Sequence, residues 1–122
     1  MEQEWRMLRT WMMHLRRQIA ADLLPEASDR AMGLLRCDLD TLMLGVLYRV
    51  GGKKAVHRVR SGCPNGFAHG TGRYELRTFA VDVLEASPAW SEIERRFRQF
   101  CRQWLTRPVR AGAARVRRRR ST

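Results

Sequence analysis

Apolar residues recur at intervals of three and four near the start of the chain: Trp5, Leu8, Met12, Leu15, Ile19 and Leu23. That spacing lines one face of an α-helix and predicts an amphipathic helix over residues 5–24. Arg6, Arg9, Arg16, Arg17 and Asp22 fall mostly off the stripe, and Pro25 ends it, because the residue before a proline is pushed out of the helical region. A second stripe, Met32, Leu35, Leu39, Leu42 and Val46, predicts another helix, capped by Ser28 or Asp29. Leu34, Met43 and Leu47 give this segment a second apolar side. Gly33 and Gly45 weaken it by about 1 kcal/mol each relative to alanine.

Beyond Gly45 the pattern suggests strands. Residues 46–50, the pair Gly51-Gly52 and residues 53–60 read as a hairpin with a two-glycine turn. A glycine-rich loop follows at 61–72, then a third strand over 73–84. Tyr74 and Leu76 alternate with charged residues, and Phe79, Val81 and Val83 continue on the opposite parity, which implies a bulge near Thr78. The last helix has Ser87 as cap, Pro88 at its first position, and an apolar face of Trp90, Ile93, Phe97, Phe100, Cys101 and Trp104. The expected fold class is therefore α+β: two N-terminal helices, a short antiparallel sheet of about three strands, and a C-terminal amphipathic helix. One globular domain covers 1–106, and 107–122 is a disordered Arg-rich tail. Helix, three strands and helix over 30–105 is also the order of double-stranded RNA-binding domains. Those open their final helix with lysines; this chain has Glu92 and Glu94 there, so that family is not assigned.

Charge sharpens the reading. Residues 1–94 hold all 12 acidic side chains and are nearly neutral, whereas 95–122 hold 11 arginines and no acid. Almost the whole net charge of +12 therefore sits in the last 28 residues. Like charges at this density repel one another and stay in water until a polyanion or an acidic partner neutralises them. Arginine outnumbers lysine 22 to 2, and guanidinium groups grip phosphate bidentately. No apolar run approaches the ~20 residues of a membrane span. The N-terminal residues lack an apolar signal core, and Cys37, Cys63 and Cys101 are odd in number and far apart. Together these predict an intracellular protein with reduced thiols and no membrane partner.

Candidate chemistry is thin. His57, Cys63 and His69 are evenly spaced, but a structural zinc site wants four ligands with a close pair among them. Gly70-Thr-Gly72 leads into Arg73 rather than the lysine and hydroxyl of a phosphate loop. Asp38 and Asp40 have no identifiable partner for acid–base work. No metal, no cofactor and no catalytic residue is expected.

What remains is binding. The nucleic-acid contacts, to RNA or DNA, are expected from Lys53 and Lys54, from Arg95, Arg98 and Arg102, and from Arg107, Arg110, Arg115, Arg117, Arg118, Arg119 and Arg120. Trp5, Met7, Trp11 and Met13 crowd the first helix and are expected to form a surface for a protein partner or for self-association. The leading expectation is a non-enzymatic regulatory protein that binds nucleic acid. The alternative is an interaction adaptor, in the style of small viral accessory proteins, whose tail is a nuclear or nucleolar localisation signal.

Overall fold

The computed structural model describes residues 1–67 and 78–105. They form five helices: α1 (Glu2–Leu23), α2 (Ser28–Arg36), α3 (Leu39–Gly62), α4 (Thr78–Glu85) and α5 (Trp90–Trp104). Among the described residues there is no strand, so the α+β expectation with its three-stranded sheet is wrong. The supposed hairpin is the second half of α3, and residues 78–84 of the supposed third strand are helical. The rest of that strand, 73–77, lies outside the described residues, as does the tail from Thr106 onward. The topological likeness to double-stranded RNA-binding domains falls with the sheet.

The hairpin reading failed at Gly51-Gly52. Two glycines between valine-containing segments are a strong turn signal, yet Ala55, Val56, Val59 and Cys63 also carry a helical three-four spacing, and all four are buried. The glycines mark a kink inside a helix. Gly52 has φ 81° and ψ −176°, a conformation open almost only to glycine. Gly51 lies against α5: a Cβ there would stand 3.1 Å from Cys101 Sγ. The kink divides α3 into an apolar first half, buried continuously over 39–47, and a second half that carries Lys53, Lys54, Arg58 and Arg60.

One core gathers all five helices. Trp5 of α1 is 0% exposed and stacks its ring among Phe67, Phe97 and Phe100, with centroids 5.8, 6.3 and 5.4 Å away. Leu8, Met12 and Ile19 continue that buried face, so the first helix follows its sequence stripe. Ile93, Phe97 and Phe100 do the same for α5. The second stripe does not hold as read. Cys37 and Asp38 break the segment into α2 and α3, Ala31 and Leu34 are the buried residues of α2, and Met32 is exposed.

Polar contacts set the break and the helix entries. Asp38 caps α3, its Oδ2 accepting from Thr41 N at 3.0 Å. Neither Ser28 nor Asp29 caps α2, whose cap position is Ala27. Ser87 Oγ accepts from Ala89 N just before α5 begins. Arg9 Nε donates to Asp40 Oδ1 at 2.6 Å, tying α1 to α3 through a carboxylate only 1% exposed. A buried charge of this kind is tolerated only when paired. Arg49 bridges α3 to Asp82 and Glu85 of α4.

Candidate functional site

Two helices far apart in sequence bring four cationic side chains of the body together. The second half of α3 lies beside α5, and between them runs an open groove of about 530 Å³. Its floor is Val50, Gly51, Ala55, Cys101 and Leu105. Lys54 and Arg58 of α3 and Arg98 and Arg102 of α5 form its rim, and among the described residues no acidic one lines it. Lys53 extends the same cationic surface outward along α3, with His57 beside Lys54 and Arg58. Arg58 Nη1 donates to the carbonyl of Leu105, the residue that follows α5. The described part of the chain therefore ends beside this groove, at Leu105.

The groove re-ranks the residues expected to contact nucleic acid. Lys53 and Lys54 are exposed and sit on a helix, not on a hairpin turn. Arg98 and Arg102 are brought beside them. Arg95 points elsewhere and is held by Glu92, with Nε and Nη2 donating at 2.9 and 2.6 Å. Arg96 donates to the same carboxylate at 2.7 Å. Two guanidiniums on one carboxylate pull the Glu92 pKa down to about 2, mainly through the hydrogen bond from Arg95. Arg98 also pairs with Glu94, at 2.8 Å. The expected basic outer face of α5 is thus partly neutralised by the acids of its own first turn. Arg58, which the sequence offered only as part of a hairpin, gains its position from the fold. Arg107, Arg110, Arg115 and Arg117 through Arg120 lie outside the described residues.

The partner surface expected on α1 changes more. Trp5 belongs to the core and presents nothing to a partner: its position on the buried stripe outweighs its place in the aromatic cluster. Trp11 is partly buried and covered by the Arg96 guanidinium, 4.3 Å from the ring centroid. Met13 is partly buried against the core. Met7 alone of the four stays open, 65% exposed. It lines a shallower groove of about 230 Å³ between α1 and α5, together with Leu8, Phe100 and Trp104.

Redox and metal chemistry gain no support from the geometry. Cys63 is buried, and burial pushes its thiol pKa up, away from the reactive thiolate. Burial raises the Cys101 thiol as well. Among the described residues, no three His, Cys, Asp or Glu side chains lie close enough to hold a metal ion, and His69 is outside them. No described helix is long and apolar enough to cross a membrane. No protein-family profile matches the chain, and neither a curated protein nor a solved structure is significantly similar to it, so its function has to be argued from this groove and the charge beside it.

Proposed function

We propose that the chain is a non-enzymatic regulatory protein that binds nucleic acid through its arginine-rich C-terminal segment and the cationic rim of the α3–α5 groove. One observation carries this reading. Lys54, Arg58, Arg98 and Arg102 surround a single groove, and α5 ends at that groove, handing the chain on to the seven arginines between 107 and 120. On this reading the arginines of the tail add their charge to that of the groove. Contacts of this type grip the phosphate backbone and are blind to sequence.

The test is a salt titration of RNA and DNA binding. Six phosphate contacts give a slope of log affinity against log salt of roughly −5, and each cation neutralised lowers its magnitude by about 0.9. Replacing Arg117–Arg120 with glutamine in the full chain should reduce both affinity and slope, as should Lys54→Gln with Arg102→Gln. A slope unmoved by either set refutes the proposal.

The adaptor reading keeps one specific support: Met7, Leu8, Phe100 and Trp104 line a groove between α1 and α5 edged by Glu4, Arg96, Gln99 and Gln103, and the Trp104 indole N–H has no partner among the described residues. On that reading, no nucleic acid binds at physiological salt. Removing 107–122 then only moves the protein out of the nucleus.

A further inference from the structure

The α3–α5 groove has a feature that phosphate binding leaves unused. Its floor is aliphatic, made by Val50, Ala55 and Leu105 with the Cys101 thiol, and among the described residues no aromatic ring lines it. Nucleic-acid grooves that engage bases supply aromatic platforms for stacking; this one supplies none. Its rim is also two-sided. Lys54 and Arg58 stand on one edge, Arg98 and Arg102 on the other, each pair four residues apart and so about 6 Å along its helix axis.

That pattern selects among possible occupants. An aliphatic chain with a single anionic head group would satisfy one end of the groove and leave the remaining cations unmatched. The chain's own C-terminal segment is repelled, since no acidic residue follows Glu94. A helix with an aliphatic stripe flanked on both sides by carboxylates one turn apart matches the floor and both edges together. We propose that the groove receives an acidic amphipathic helix of a partner protein, with its aliphatic side chains on Val50, Ala55 and Leu105. Its two rows of Asp or Glu face Lys54 and Arg58 on one side and Arg98 and Arg102 on the other. Lys54 has no carboxylate partner among the described residues, and Arg98 exchanges the solvent-exposed Glu94 for the incoming acid. Charge complementarity of this kind speeds encounter and selects against basic competitors. The inference goes beyond nucleic-acid binding and does not rest on it.

Two synthetic peptides of identical composition test it on the full chain. One carries leucines at helical three-four spacing flanked by glutamates; the other has the same residues with the leucines dispersed. Anisotropy gives affinity, and alkylation of Cys101 reports occupancy of the floor, with Cys37 at the end of α2 as internal control. The patterned peptide is expected to bind about tenfold more tightly than its isomer and to slow alkylation of Cys101 but not of Cys37. Lys54→Glu with Arg102→Glu, both exposed positions, should weaken it about tenfold, and a peptide with lysine in place of glutamate should then bind the reversed variant. Glutamine at Arg117–Arg120 should leave peptide binding intact while weakening RNA binding, which separates this inference from the nucleic-acid reading. Equal affinity for both isomers overturns it, as does loss of peptide binding on neutralising the tail. So does protection of Cys101 by dodecyl phosphate or by self-association but not by the patterned peptide.

Discussion

Replacing Gly52 with alanine tests the kink on which the groove depends. With φ 81° and ψ −176°, an alanine there occupies a region nearly closed to L-residues, at a cost of about 1–3 kcal/mol. A Cβ at this position meets nothing within 4 Å, so no packing clash adds to that cost. Alanine also stiffens the unfolded chain, which offsets about 0.4–1 kcal/mol. The alternative is for residue 52 to become helical and α3 to straighten. That swings Val56, Val59 and Cys63, all buried, away from the core. Each aliphatic side chain lost from burial costs about 1.5–3 kcal/mol, so straightening is the worse escape. The expected result is a destabilisation of about 1–2 kcal/mol, read as a lower guanidinium midpoint at unchanged slope. For a domain of this size it corresponds to a melting temperature lower by roughly 5–10 °C. Gly51→Ala is the control, because its cost is steric: the new Cβ falls 2.8 Å from the Ala55 Cβ and 3.1 Å from Cys101 Sγ. Cys101→Ala should therefore relieve Gly51→Ala in part and leave Gly52→Ala unchanged. A Gly52→Ala variant as stable as the parent, with more helix by circular dichroism, would refute the reasoning.

Two further outcomes follow from the packing and charge. Trp5→Ala removes a fully buried ring in contact with three phenylalanines and should cost about 3–5 kcal/mol in chemical denaturation; a loss below 1 kcal/mol would place Trp5 outside the core. The Glu92 carboxyl, followed by NMR, should titrate at about 2 in the folded chain, and Arg95→Gln with Arg96→Gln should return it toward its ordinary value. Because the folded pKa is depressed, whatever stability this cluster contributes is complete above the ordinary carboxylate range. It is lost as pH falls from there through about 2, and the double variant should lose that acid-limb dependence.

Local pattern determined the two outer helices. Trp5, Leu8, Met12 and Ile19 on α1, and Ile93, Phe97 and Phe100 on α5, are buried where a helical period puts them, because a continuous stripe has one way to leave water. The charge asymmetry was equally plain in the chain, since counting needs no fold. The middle was not legible. Gly51-Gly52 serves a tight turn or a kinked helix equally well, and the short, mostly apolar segment 79–84 fits a strand or a helical turn and a half. Which of these wins depends on what packs against them: Val56 and Val59 reach the core only from a helix, and Gly51 keeps a Cβ off both Ala55 of its own helix and Cys101 of α5. The pairing of Lys54 and Arg58 with Arg98 and Arg102 across forty-odd residues is likewise invisible in a linear string. Periodicity reports how each segment meets water, whereas the groove exists only once segments meet each other, and tertiary packing alone decides that.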